Sequence, residues 1–291
     1  VVTTGSQPHG QGHETTLAQI VADELGIPVE DVIVQHSDTL GTPFGYGTYG
    51  SRSAAVGGVA VYNSLQRIKE KARVLGAHLL EADPADVVFE GGKVYVKGAP
   101  DRAKTIQEIA AAAALAYNLP PGMEPFLDDT AYYDPPNCTF PFGTHIAIVE
   151  VEADTGQVHL RRYIAVDDVG RVINPMIVDG QVHGGIAQGV AQALWEGAVY
   201  DENGQLVTGT LTEYALPKAE FFPTFEVGRT ETPSPVNPLG VKGAGETGTI
   251  AATPAVVNAV MDALAPFGIK HIDMPLTPER VWRAIQQAQG R

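Results

Sequence analysis

Residues 145–166 read HIAIVEVEADTGQVHLRRYIAV, and this stretch decides the fold class. Asp154, Thr155 and Gly156 supply turn chemistry between two apolar-rich runs, in which Val158, Leu160, Ile164 and Val166 mostly alternate with other residues. Alternation on both sides of a short turn predicts a β-hairpin. Just downstream, Asn174 is a good N-cap and Pro175 falls at the first helical position, where its missing N–H is not needed. A hairpin running into a helix predicts mixed α+β architecture.

Upstream, HETTLAQIVADELG places Leu17, Ile20, Val21 and Leu25 at helical spacing, with Gly26 as the stop. DVIVQHS reads as a short strand, and Val61, Leu65, Ile68, Ala72, Leu75 and Leu79 mark a long helix. DVVFE and KVYVKG read as strands about the Gly91–Gly92 turn, and Thr105 with Glu108 forms a capping box for an alanine-rich helix. This first α+β unit, 1–118, is expected to end near Asn118. Residues 119–143 are rich in proline and aromatics and read as an extended connector whose aromatics hold it against a surface. A second α+β unit is expected over 144–291, with a hairpin turn at Asn203-Gly204 and helices near 254–264 and 278–287.

A length of 291 residues fits about two core-bearing units. The net charge of -15, from 19 basic and 34 acidic residues, argues against a nucleic-acid surface. No apolar run reaches the ~18 residues of a membrane span, and reducing cytoplasm is the expected location. A single cysteine, Cys138, excludes an internal disulfide and does not by itself hold an iron–sulfur cluster. It has no basic neighbour in sequence and reads as a buried or half-buried thiol. The chain opens on Val1 and is expected to be a piece of a longer protein.

Glycine is the outlier, with 32 residues concentrated in motifs. PHGQGHET and GYGTYGSRS each lead into a helix. Glycines there let a ligand reach the backbone, and the unpaired N–H groups with the helix dipole favour an anion. Thr48, Ser51, Arg52 and Ser53 add hydroxyls and a fork-shaped cation suited to phosphate. Any one GxG reads first as a turn plus cap, whereas two in one unit favour an anion site. Neither fits the P-loop or dinucleotide fingerprint.

In the helix after Asn174, Gly180, Gly184, Ala187 and Ala191 form a small-residue stripe beside Gln181, Gln188 and Gln192. Each interior glycine costs about 0.5–1 kcal/mol against alanine, so close approach of a helix or a ligand is expected. His9 and His13 lie four apart but lack the H-E-x-x-H order, which argues against zinc. In GAGETG, Glu246 stands among glycines just before an apolar helix. It reads equally as a helix-dipole glutamate or as a carboxylate presented to a cavity, where shielding from water would suit a general base.

Taken together, GQGHETTLAQIVADELGIP, GTYGSRSAAVGG, YYDPPNCTFPFGTHIAIVEVE, DDVGRVINPMIVDGQVHGGIAQG and GVKGAGE resemble the molybdenum hydroxylases, the xanthine dehydrogenase and aldehyde oxidase family. The resemblance runs along nearly the whole chain, in order. It is nearest to the C-terminal, molybdopterin-binding half of a carbon monoxide dehydrogenase-type large subunit.

The resemblance implies site residues. Gln11, with Gly12 and His13, would lie beside a molybdenum cofactor carrying molybdopterin cytosine dinucleotide. Thr48, Tyr49, Gly50, Ser51, Arg52 and Ser53 would wrap the pterin and its dinucleotide tail. Gln181 would contact the cofactor from its helix, and Lys242 and Gly243 would precede Glu246, the active-site base. The implied activity is base-assisted hydroxylation of a small substrate (carbon monoxide, an aldehyde or an N-heterocycle) with oxygen derived from water.

The implied partners are the N-terminal half of the large subunit, an iron–sulfur subunit and a flavin (FAD) subunit. The family's copper-binding cysteine belongs to a motif other than that of Cys138. Two rival readings remain at this level: a non-catalytic nucleotide- or anion-binding module in which Glu246 only caps a helix, and a structural subunit of such a complex.

Overall fold

The computed structural model describes residues 1–42 and 44–291. The chain divides into two compact units, Val1–Cys138 with Pro235–Val241, and Thr139–Ser234 with Lys242–Arg291. The first unit thus takes in most of the proline-rich segment and a short return segment from late in the chain.

In the first unit, β1 (Val2–Thr3) pairs in parallel with β2 (Val34–Gln35), and α1 (His13–Leu25) lies between them in sequence. The strand expected in DVIVQHS shrinks to two residues because a 3-10 turn at Val29–Asp31 precedes it and Ser37 leaves it at φ 62. A π-helical turn, Ala54–Gly58, leads into α2 (Val59–Leu79).

The antiparallel strands β3 (Val87–Glu90), β4 (Lys93–Val96) and β5 (Ala99–Thr105) follow. The sequence reading misses β5 because APDRAKT has no apolar alternation. Both bonds of the expected capping box start α3 (Ile106–Leu115) at Thr105 and Glu108. Leu75, Val94 and Ile109 are wholly buried in the core these elements share.

The 119–143 segment is held differently from expectation. Leu119, Met123 and Leu127 pack on that core, Arg67 pairs with Asp129 at 3.2 Å, and the Ser64 hydroxyl donates to the Asp129 carbonyl at 3.0 Å. Tyr133 donates to the Val236 carbonyl at 2.9 Å, but Phe126, Tyr132 and Phe140 are exposed. Aliphatic and polar groups, with the Tyr133 hydroxyl, anchor the segment, while Phe126, Tyr132 and Phe140 face outward. Cys138, expected at least half-buried, is exposed.

The second unit is built on β6 (Phe142–Val151), β7 (Val158–Asp168), α4 (Pro175–Leu194), β8 (Phe225–Thr230), α5 (Thr247–Leu264) and α6 (Pro278–Ala288). The sheet order is β6-β7-β8, with β6/β7 antiparallel and β7/β8 parallel. Asn174 accepts from the Ile177 amide and Thr277 from the Arg280 amide, so both expected caps form. Asn203-Gly204 makes a turn closed by a single bridge, Tyr200 to Leu206, and not a hairpin of strands.

One bulge sets which side chains enter the core. The β6/β7 register slips between Ile148 and Val149, which pair with Arg162 and Leu160 and leave Arg161 over. An extra residue flips every later side chain to the opposite face. Val158 and Leu160 point inward, but beyond the bulge Tyr163 and Ala165 do so, and Val166 is exposed together with Phe142, Ile146 and Ile148. The expected single alternating set is therefore split between the two faces.

The inner face packs with α4, α5 and α6 through Ile186, Val190, Val256, Val260 and Ile285. The run Thr247–Phe267 is long and apolar enough to cross a membrane by length and composition, contrary to the sequence expectation. Ala252, Val256, Val260 and Leu264 from it are buried in this core.

Candidate functional site

In the first unit, the PHGQGHET stretch opens α1 without a side-chain cap. Gly12 holds the N-cap position at φ 75, a left-handed conformation in which a side chain is strained. Gln11 Oε1 accepts the His9 amide, which folds the glutamine back on its own loop. His13 begins the helix, and its Nδ1 is the one buried side-chain polar atom without a hydrogen-bond partner among the described residues. Burial lowers its pKa, with His36 and His9 adding to the effect and Glu14 opposing it. Glu14 itself is tied to His36 Nε2 at 2.7 Å.

The GYGTYGSRS loop crosses the first strand segment backbone to backbone. The Gly47 amide donates to the Gly5 carbonyl at 3.1 Å, and a methyl on Gly45 would lie 2.2 Å from Gly5 Cα. Thr48 Oγ1 donates to the Gln7 carbonyl and lies 3.1 Å from Ser53 Oγ. Ser51 has φ 53 and Gly50 φ 59. Arg52 donates to the Tyr49 hydroxyl at 3.1 Å and lies over its ring, 5.3 Å from the centroid. No carboxylate pairs with this guanidinium among the described residues. Tyr49, Arg52 and Ser53 help line a cavity of about 930 Å³, within the ~300–1,000 Å³ range of small-molecule sites. Gln11, Gly12 and His13 are not in that lining.

In the second unit, the α4 glycines divide by face. Gly180 and Gly184, half of the expected small-residue stripe, have nothing within 4 Å of an added Cβ. The helix-packing positions are Gly185 and Gly189, where a Cβ would lie 2.7 Å from the Thr249 nitrogen and 2.5 Å from the Ala252 Cβ. Gly248 answers from α5: its Cβ would lie 2.4 Å from the Val182 carbonyl oxygen. This contact fixes the start of α5 beside the residue that follows Gln181. Gln181 is half-buried and Gln188 exposed, while Gln192 accepts from the Thr253 hydroxyl at 3.0 Å.

Glu246 occupies the N-cap position of α5 and makes no side-chain capping bond. It is exposed, so the described residues do not supply the shielding expected of a general base. Lys242 has a different setting. Its ammonium is buried, 2.9 Å from Asp168 Oδ1. Burial would raise the Asp168 pKa, but hydrogen bonds from Lys242, Gly170, Thr232 and Thr230 outweigh it and hold the carboxyl down at about 2. Beside this pair, His145 Nε2 lies 3.2 Å from Asp167 Oδ2 and His145 Nδ1 lies 2.8 Å from the Tyr163 hydroxyl.

Sequence reasoning assigned no role to Asp168, Asp167 or His145. The signal present was a pair of consecutive carboxylates ending an apolar strand just before a glycine.

A family model described as the molybdopterin cofactor-binding domain matches residues 1–223. The chain belongs to this family. It is 43% identical over 288 residues to the carbon monoxide dehydrogenase large chain of Hydrogenophaga pseudoflava, covering 99% of this chain and 36% of that one. The crystal structure of a Cu,Mo-CO dehydrogenase in its carbon monoxide-reduced state superposes with a TM-score of 0.94 at 42% identity, over 99% of this chain and 36% of that one. Quinoline 2-oxidoreductase from Pseudomonas putida 86 superposes with a TM-score of 0.91 at 45% identity, over 98% and 36%. The chain thus spans about a third of the length of these relatives.

Proposed function

We propose that this chain is the C-terminal part of the large, catalytic subunit of a molybdenum hydroxylase, holds molybdopterin cytosine dinucleotide, and supplies Glu246 as the base for hydroxylation. The observation that carries the reading is the placement of Glu246 at the start of α5, two residues before Gly248, which lies against the backbone of Val182 next to Gln181.

The residues present suit the cofactor. The unpartnered Nδ1 of His13 awaits a hydrogen-bonding group, the open space beside Gly180 and Gly184 admits a bulky one, and Arg52 and Ser53 suit a phosphate. Gln11, Gly12, Thr48, Tyr49, Gly50, Ser51, Gln181 and Gly243 complete the proposed contact set. Lys242 joins it through its main chain, because its ammonium is committed to Asp168.

When bound, the cofactor would supply the metal-assisted and redox chemistry of the hydroxylation. Glu246 would take up the proton released in the hydroxylation, and Gln181 would help to hold the cofactor in place. Iron–sulfur and flavin subunits would receive the electrons. The substrate is a small electron-poor molecule: carbon monoxide, an aldehyde or an N-heterocycle.

The test is metal analysis with release of the pterin nucleotide, on the chain co-expressed with the rest of the large subunit. About one molybdenum and one cytosine dinucleotide per assembly are expected, and Glu246→Gln should retain both while losing turnover. A folded assembly without molybdenum, or Glu246→Gln with full turnover, would favour a non-catalytic binding module.

A further inference from the structure

The residue that starts the Glu246 segment is clamped to the end of the second unit's sheet. Register pairs Phe142 of β6 with Asp168 of β7, and Asp168 with Thr230 of β8. Phe142 and Asp168 of this cross-strand row meet Lys242, and Thr230 braces Asp168. Its Nζ lies 2.9 Å from Asp168 Oδ1 and 4.6 Å from the centroid of the Phe142 ring, and Thr230 Oγ1 donates to Asp168 Oδ2 at 3.0 Å.

The Gly170 amide donates to Asp168 Oδ1 at 3.0 Å, so the carboxylate is held on both oxygens. Side-chain exposure is 6% for Lys242 and 0% for Asp168. The main chain doubles the clamp, with the Lys242 amide donating to the Val169 carbonyl at 2.8 Å.

The far end of the segment is fixed as well. Thr247 Oγ1 donates back to the Gly243 carbonyl at 3.2 Å, and Gly248 abuts the Val182 backbone. Between these anchors run Gly243, Ala244 and Gly245, whose side chains are no larger than a methyl group. A stretch of that kind has a wide range of backbone conformations, so the place of Glu246 depends on how firmly its ends are held.

We propose that the buried Asp168–Lys242 pair is a positioning element for Glu246, with Lys242 acting through its fixed place on the sheet end and not as a ligand-binding cation. The inference rests on the reading of Glu246 as the base. Misplacement of a reacting group by about 1 Å costs on the order of 100-fold in rate, which sets the size of the effect.

The experiment uses the fully assembled, molybdenum-loaded enzyme and whichever of carbon monoxide, benzaldehyde or quinoline the wild type oxidises with an artificial electron acceptor. Lys242→Met is expected to lower kcat about 100-fold with KM and molybdenum content unchanged. Combined with Glu246→Gln it should lower kcat no further than Glu246→Gln alone, because both changes act through one group. Independently of turnover, amide hydrogen exchange over 243–247 should quicken at least ~10-fold while α6 keeps its protection.

Should Lys242→Met fail to fold, the double variant Asp168→Asn/Lys242→Met removes both charges without leaving one buried alone, and the same kcat loss and faster exchange are expected of it. Unchanged kcat and unchanged exchange over 243–247, with Glu246→Gln inactive, would overturn the positioning role and leave Glu246 as the base. Full turnover in Glu246→Gln would overturn both.

Discussion

The backbone of Val182 meets Gly248 so closely that a methyl group on the glycine would lie 2.4 Å from the Val182 carbonyl oxygen. Helices α4 and α5 are thereby joined by main-chain contact at the level of Gln181 and Glu246. Gly248→Ala should force the helices apart and cost about 1–3 kcal/mol, as overpacking does. Gly184→Ala, which enters open space, should gain about 0.5–1 kcal/mol in the isolated chain from helix propensity. Urea unfolding of the two variants gives the comparison, and equal midpoints would mean that the crossing is loose.

His145 is wholly buried, with Asp167 and Tyr163 as its ring partners. Asp167→Ala removes the acceptor at Nε2 and leaves a buried ring nitrogen unsatisfied, a loss of about 1–3 kcal/mol. Tyr163→Phe should cost less, about 0.5–1.5 kcal/mol, because only one neutral hydrogen bond goes. Thermal unfolding of both variants checks the order. A larger loss at Tyr163 than at Asp167 would mean that ring packing, more than hydrogen bonding, holds this cluster.

Two buried groups give the stability a defined pH dependence. Asp168, ordinarily at 3.8 and held at about 2 in the fold, contributes stability that is fully present above 3.8 and lost as pH falls toward 2. His13 has a folded pKa below its ordinary 6.5, so its contribution is whole above that value and declines as pH falls through the folded pKa. Urea midpoints measured from pH 7 down to pH 2 should therefore drop in two stages. Asp168→Asn should flatten the lower stage and His13→Gln the upper one.

The capping box at Thr105 satisfies two amide donors reciprocally. Thr105→Ala should cost about 1 kcal/mol and raise hydrogen exchange in the first turn of α3. Unaltered exchange there would show that packing of Ile106 and Ile109 alone holds the helix start.

Local signals were legible where a single residue carries the physics. The caps at Asn174, Thr105 and Thr277 and the stop at Gly26 were readable because each depends on chemistry within four residues. The faces of β7 were not readable, since the bulge at Arg161 inverts the alternation and nothing in HLRRYI announces it.

The glycines of α4 show the same limit. A period of four selects Gly180 and Gly184, yet the packed positions are Gly185 and Gly189, and only the partner helix decides between the two stripes. Asp168 was missed because its role depends on Lys242, which is 74 residues away in sequence. Of the glycine motifs, the sequence indicated that backbone and ligand come close, but it did not distinguish glycines that admit a helix from those left open.

The bulge that turns Val166 outward also sets the colloidal character of the chain. It completes an apolar strip with Phe142, Ile146 and Ile148 on the sheet's outer face, on a molecule whose net charge is -15. At low ionic strength, charge repulsion keeps two such strips apart. With the screening length cut to about 8 Å at physiological salt, short-range attraction between strips takes over, and the isolated chain will become less soluble as salt is added, the reverse of ordinary salting-in.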